Sequence, residues 1–182
     1  PQIQQYLASE SFIDQFEICR IYTSESRVVL NGKEKNYPLT INFNNLPKRI
    51  EKLFSELLKI VTKQTQSLYR DQVINVFKNY ENNPRKPSVL IGRFNNFIPG
   101  YYGAKGLYII KSTLYNLITS KEITYSMTKP LKPDEYLDEV LVPETAVRLI
   151  AQNRRVELDQ ANEIMKDSAE FGMYIHDIEI EM

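Results

Sequence analysis

The sequence predicts an all-α fold: a single compact multi-helix domain with long loops and at most one or two short extended segments. Three observations carry this. Apolar residues recur at intervals of three and four over most of the chain, the period of one helix face. Prolines and Asn-Gly or Pro-Gly pairs cut that pattern into segments of helix length. Strict alternation, the mark of a half-buried strand, shows only at Leu39, Ile41 and Phe43, and so short a strand without a partner stays an extended loop.

From residue 3 to about 29, the positions Tyr6, Leu7, Phe12, Ile13, Phe16, Cys19 and Val28 predict helix, with Ser9 or Ser11 placed to cap it. Asn31-Gly32 is expected to end it, and residues 32–45 to form a loop rich in Asn and Lys. The next helix has the clearest signal in the chain. Asn45 offers a cap, Pro47 falls in the first turn, and Leu46, Ile50, Leu53, Phe54, Leu57, Ile60 and Val61 make one stripe. Lys48, Arg49, Lys52, Lys59 and Lys63 fall on the other, solvated face. A further helix, from about Ser67 to Tyr80, would bury Leu68, Val73, Ile74, Val76 and Phe77 and stop at Asn82-Asn83-Pro84, where the residue before proline is pushed out of the α region. Residues 85–99 read as a connector, extended at Val89, Leu90 and Ile91.

Pro99-Gly100 is a turn signal, and Gly103 and Gly106 follow at a spacing of three. The helix behind the turn would bury Leu107, Ile110, Leu114, Leu117 and Ile118, with Tyr108 and Tyr115 flanking that stripe seven residues apart. Glycine in the first turns weakens a helix by about 1 kcal/mol relative to Ala, so a neighbouring helix is expected to approach that backbone closely. After the break at Lys129-Pro130-Leu131-Lys132-Pro133, a short acidic helix is expected over 134–140. A second opens at Val142-Pro143-Glu144 and buries Ala146, Val147, Leu149 and Ile150, with Glu144 favoured by the positive helix end. The last helix, Glu157 to about Ile175, repeats Leu158, Ala161, Met165, Ser168, Gly172 and Ile175, small enough in places for another helix to lie close.

With 182 residues, 42% hydrophobic and 25% charged, the chain suits one domain over 1–182 that buries a core without disulfides or metal. No apolar run approaches the ~20 residues of a membrane span, and no signal-peptide pattern opens the chain. Because it begins at Pro1 rather than Met, it is expected to be a fragment of a longer protein. Cys19 is the only cysteine, which excludes an internal disulfide and suits a reducing compartment.

The net charge is zero, but its distribution is uneven. Residues 1–133 carry 19 basic against 10 acidic side chains, a balance of +9; residues 134–182 carry 4 against 13, a balance of −9. Between Glu81 and Glu122, six Lys and Arg residues interleave with Phe94, Phe97, Tyr101, Tyr102, Tyr108 and Tyr115. Such a stretch can hold phosphates and stacked bases, or the acidic end of the chain can fold over it and cancel it.

A family resemblance rests on motifs in this order. Pro99-Gly100-Tyr101-Tyr102-Gly103 with Gly106 is similar to the signature of the fungal restriction of telomere capping protein 4 family. Val142-Pro143-Glu144, Arg148-Leu149-Ile150, and Ala161 with Ser168 and Gly172 resemble its C-terminal pattern. Upstream, Cys19, Glu25 and Ser26 resemble one family segment, and Phe43, Leu46, Pro47 and Arg49 resemble the start of a helix. Tyr22 stands where the family pattern has His, so no metal or base role carries over; Ala104 stands where Pro is frequent. The resemblance implies a helical C-terminal domain of a nuclear and cytoplasmic protein connected with telomere ends, with no family active site.

The residue inventory points away from catalysis. His176 is the only histidine, beside Asp177 near the chain's end, and reads as a solvated or helix-terminal side chain rather than part of a triad. One Cys and one His cannot build a structural zinc site. Asp134, Glu135, Asp138 and Glu139 are oxygen ligands in type, yet an exposed acidic helix explains them better. The glycines around Lys105 could aim N–H groups at a phosphate, but neither phosphate-loop spacing is present, and helix packing is the stronger reading. The expected function is therefore a non-enzymatic protein-interaction domain without cofactor or metal, its unidentified protein partner met in a telomere or chromatin context. The alternative is a nucleic-acid-binding module using the basic, aromatic centre. Arg93, Tyr101, Tyr102 and Lys105 form the expected binding patch, with core packing as the competing role of the two tyrosines.

Overall fold

The computed structural model describes residues 27–79, 98–121 and 123–176. The chain divides into two compact units, one ending at Leu39 and the other beginning at Thr40. In the first, residues 27–34 are helical. That helix runs through Asn31-Gly32 instead of ending there. The Tyr37 N–H donates to the Gly32 carbonyl at 2.8 Å, and Asn36 takes a φ of 56°, the left-handed geometry that asparagine tolerates at a helix end. The expected helix positions before residue 27 lie outside the described residues.

In the second unit, a 3₁₀ turn at Phe43–Asn45 leads into α1, Leu46–Val61. Asn42, not Asn45, satisfies the entry: its Oδ1 accepts the Asn45 N–H at 3.2 Å. All seven stripe residues of α1 are buried, as the period of 3.6 requires. Helix α2, Leu68–Asn79, is capped by Ser67, whose Oγ accepts the Arg70 N–H at 3.1 Å. Tyr69 and Val73 face inward, and Leu68, expected inside, is 49% exposed. The cap places Leu68 at the first, outward helical position, and the neighbouring tyrosine takes the interior by giving its hydroxyl to Asn162 Oδ1 at 2.5 Å. The side chain of Phe77, and the extended segment expected at Val89 to Ile91, lie outside the described residues.

A 3₁₀ turn at Gly100–Tyr102 opens α3, Gly103–Ser120, which buries Ile110, Leu114 and Ile118, with Leu107 and Leu117 half-buried. The short helices α4, Tyr125–Thr128, and α5, Pro133–Tyr136, follow. The acidic helix and the one opened by Val142 are continuous rather than separate. A π turn at Leu137–Leu141 joins α5 to α6, Val142–Arg154, with the Val142 N–H bonded five residues back to Leu137. Pro143 explains the wide turn, because its ring would collide with the carbonyl four residues earlier in a regular α-helix. The expected last helix is two: α7, Leu158–Asp167, and α8, Ala169–Ile175, broken at Ser168, whose hydroxyl donates to the Ile164 carbonyl at 2.6 Å.

Helices α1, α3 and α6 pack on one another and form the core. Helix α6 is central: every residue from 141 to 150 is buried, so it has no solvent face until its last turn, where Gln152 and Asn153 are exposed. Helix α7 lies on α6, α8 lies on α3 and on the Gly100–Tyr102 turn, and α2 covers the π turn. There is no strand among the described residues, so Leu39 to Phe43 is loop followed by 3₁₀ turn. Among them, no helix is long and apolar enough to cross a membrane. Lys111 Nζ meets Asp138 Oδ1 at 2.8 Å, one direct link between the basic middle of the chain and its acidic end.

Leu57 is fully buried where α1 meets the core, so Leu57→Ala is expected to cost about 2–5 kcal/mol, whereas Leu68→Ala at the exposed start of α2 stays within about 0.5 kcal/mol. Urea denaturation of the two variants checks the contrast.

Candidate functional site

The residues singled out in sequence converge on one corner, where the Gly100–Tyr102 turn meets α8. Gly100 and Gly103 have φ values of 59° and 61°, a region that side chains other than Gly disfavour. Space is as restrictive as conformation there. A Cβ on Gly103 would overlap the Gly172 carbonyl, one on Gly172 would overlap the Gly100 carbonyl, and one on Gly100 would lie 2.9 Å from the Met165 Cα. The final two helices thus touch the turn backbone to backbone. The Lys105 N–H donates to the His176 carbonyl at 3.1 Å and ties the start of α3 to the end of α8. Gly106 has a different reason: a Cβ there would strike the Tyr102 side chain, not a neighbouring helix. With the glycine backbone closed over by α7 and α8, no cradle for a phosphate remains at Gly100 or Gly103.

Tyr101 and Tyr102 are both 0% exposed, which takes them out of the expected binding patch. Their rings pack together with centroids 5.0 Å apart. Asn153 Nδ2 donates to Tyr102 Oη at 2.8 Å and to Tyr101 Oη at 3.1 Å. Arg49, expected on the solvated face of α1, turns inward: Nη1 reaches Tyr102 Oη at 3.4 Å, and Nη2 reaches the Leu149 carbonyl at 3.3 Å and Gln152 Oε1 at 3.1 Å. Burial raises both phenols above their ordinary pKa, and the Arg49 guanidinium partly offsets this at Tyr102. Lys105 stays exposed, its Nζ 5.4 Å from the centre of the Phe43 ring. His176, expected to be solvated or helix-terminal, is the latter: it caps the end of α8, is 8% exposed and packs its ring edge-on against Phe43 at 5.3 Å. Arg93 and Asp177 lie outside the described residues.

A second constellation was not assembled from sequence. Ser67 Oγ donates to Glu144 Oε1 at 2.5 Å, and Arg148 Nη1 donates to Glu144 Oε2 and, at 3.0 Å, to the Glu144 carbonyl. Arg148 Nε also lies 3.6 Å from Glu56 Oε2. The ion pair sits inside the bundle beside Tyr69 and Tyr136. Burial and then the Glu144 charge raise the Tyr69 phenol; burial pushes Tyr136 up to about 12, against the pull of Arg70. The Tyr136 hydroxyl has no hydrogen-bond partner among the described residues. The available signal was the Glu-Arg spacing of four set among Val142, Ala146, Val147, Leu149 and Ile150, apolar residues on every side of the pair.

The four carboxylates of the acidic stretch do not converge. Glu135 Oε2 accepts the Lys132 N–H at 2.9 Å, Asp138 binds Lys111, and Glu139 is buried, while Asp134 is exposed. Among the described residues no group of three or more His, Cys, Asp or Glu side chains is arranged to hold a metal ion. Among the aromatic side chains that do reach solvent, Tyr108 is 67% and Tyr115 55% exposed on the outer face of α3, and Tyr125 and Tyr174 are exposed elsewhere.

Three measurements follow from this geometry. Gly103→Ala and Gly172→Ala each force backbone against backbone at a left-handed or sealed position, so each is expected to leave no cooperative thermal transition by circular dichroism. Arg148→Ala strands the buried Glu144 carboxylate and should cost about 3–5 kcal/mol, and the double variant Glu144→Leu with Arg148→Met should recover most of that loss. The pH dependence has a fixed sign. Tyr69, Tyr101, Tyr102 and Tyr136 hold their protons more tightly when folded than at the ordinary 10.0, so their contribution is complete below pH 10 and is lost as pH rises above it. Phenolate absorbance and loss of helix should therefore rise together above about pH 10.

A model of one family, described as the RTC4-like domain, matches residues 62–177. No curated protein and no solved structure matches the chain. The matched stretch holds the glycine corner, the buried tyrosines and the Glu144–Arg148 pair, and α1 completes the core from outside it. As that stretch is well over half of the sequence, the chain belongs to the RTC4-like domain family.

Proposed function

We propose that this domain is a non-enzymatic protein-docking module of a nuclear and cytoplasmic protein, acting in telomere capping or chromatin, and that it meets its partner with the outer ridge of α3. The observation that carries this is the pair Tyr108 and Tyr115, two large aromatic side chains mostly in solvent on one helix face. Large aromatics are enriched among the residues that dominate binding energy, and they are rarely left in water without a role. The glycine corner, the paired tyrosines and the buried ion pair are all engaged in holding the fold, which supports a scaffold that displays a surface. The family name supports the telomere context. No cofactor or metal enters this reading.

Nucleic-acid binding is the second reading, favoured by Lys105, Lys111 and Lys121 near those tyrosines. The burial of Tyr101 and Tyr102 removes two of the aromatic faces it relied on. The test is affinity purification of the full-length protein, with and without Tyr108→Ala and Tyr115→Ala together. Exposed positions leave the melting temperature unchanged, so loss of a specific protein partner in the double variant is the expected result. Unchanged recovery, or a salt-sensitive shift of an oligonucleotide by the purified domain, overturns it in favour of the second reading.

A further inference from the structure

We infer that the occupant of this ridge is an acidic amphipathic helix of a partner protein; the inference rests on the docking reading above and names the partner's chemistry. Positions 108, 112, 115 and 119 recur at four, three and four, so Tyr108, Ser112, Tyr115 and Thr119 form one row along α3, opposite the buried Gly106 and Ile110. The two hydroxyls in the row are turned onto the helix's own backbone: Ser112 Oγ donates to the Ile109 carbonyl at 3.2 Å and Thr119 Oγ1 to the Tyr115 carbonyl at 2.9 Å. The row therefore offers aromatic and methyl surface, with phenol hydroxyls at its edge.

Charge selects the occupant. Helix α3 contains no Asp or Glu from Gly103 to Ser120, and its two lysines flank the row, Lys105 on one side of Tyr108 and Lys111 on the other. Lys111 is already paired with Asp138 of the same chain at 2.8 Å, which leaves Lys105 to select the charge of a partner. Lys105 is exposed, with its Nζ over the Phe43 ring rather than against an acid.

Shape separates an acidic helix from a nucleic acid. The two tyrosines stand seven residues apart, about 10 Å along the axis at 1.5 Å per residue, on a convex ridge. Single strands are held in grooves that track the backbone with many cations and successive aromatic platforms. A convex ridge with anchors at i and i+7 fits the groove between side-chain rows of another helix. The area available from one such helix face is that of a small, transient interface, so binding should be reversible and weakened by salt.

The experiment places a photo-crosslinking amino acid at position 108, and separately at 115, in the full-length protein in cells, and sequences the attached peptide by mass spectrometry. The expected product is a helix-forming segment of another protein with net negative charge around the linked residue. Its yield should fall about tenfold when Lys105→Glu is added and in proportion to added salt in extracts. A linked segment that is neutral or basic, a linked nucleic acid, or a link to a second copy of this chain overturns the inference while leaving α3 as a contact surface. No crosslink from either position, with one recovered from a control position elsewhere on the surface, overturns the docking reading itself.

Discussion

The contact on which the rest of this domain depends is backbone against backbone: the Gly100 to Gly103 turn pressed onto α8 at Gly172. It joins segments some seventy residues apart and leaves no room for a methyl group between them. Several otherwise separate features follow from that closeness. The turn can enter α3 only through two left-handed glycines, the last helix must break at Ser168 to follow the turn, and Tyr101 and Tyr102 are driven inward under the helix ends. Once inside, two phenol hydroxyls need partners, and Asn153 and Arg49 supply them from α6 and α1. A single close approach thus determines the placement of residues from four helices.

The second constraint is internal charge. Helix α6 is buried on all sides over residues 141–150, yet carries Glu144 and Arg148. Two charges cost several kcal/mol each to remove from water, and their mutual attraction offsets this only with good geometry and further hydrogen bonds. Ser67 and the Glu144 carbonyl complete that set on one side, and Glu56, more exposed, adds to it on the other. Ser67 is also the cap of α2, so one hydroxyl both starts that helix and satisfies the buried carboxylate. The pair therefore specifies where α2 begins relative to α6, a role in register more than in net stability.

How much of this was legible in the sequence depends on whether the governing interaction was local. The stripe of α1 was read residue for residue because burial on one face is a periodic demand on side chains four apart. The helix break at Pro130 to Pro133 was signalled by its prolines, which is also a local demand; the stop expected at Asn82-Asn83-Pro84 lies outside the described residues. The outward placement of Leu68 and the break at Ser168 were not signalled, since each is decided by a neighbour distant in sequence: Asn162 for Tyr69, and the Gly100 turn for Ser168; the continuity through Pro143 was missed although its cause, the adjoining π turn, is local. The candidate site shows the same division. Of the glycines expected to admit a neighbouring helix, Gly103 announced that close approach correctly and Gly106 did not, since its space is taken by the Tyr102 side chain. The paired tyrosines beside them read as binding patch or core alike, because residue type does not settle which side of a turn faces the core.

That ambiguity has a useful converse. A motif shared with a family is enriched in residues that packing demands, and here those residues are spent inside: Gly103, Tyr101, Tyr102, Glu144, Arg148, Gly172. Residues that packing does not demand carry the stronger functional signal when they are also costly to leave in water. Tyr108 and Tyr115 meet both conditions, because replacing them with Lys or Gln would leave α3 equally helical and its buried row untouched. Their position could be read from the sequence by subtraction: once Ile110, Leu114 and Ile118 define the inward face, the aromatic residues remaining on the opposite one have no structural reason to be aromatic. The signature identifies how the domain is built, and the docking proposal rests on the residues left over from it.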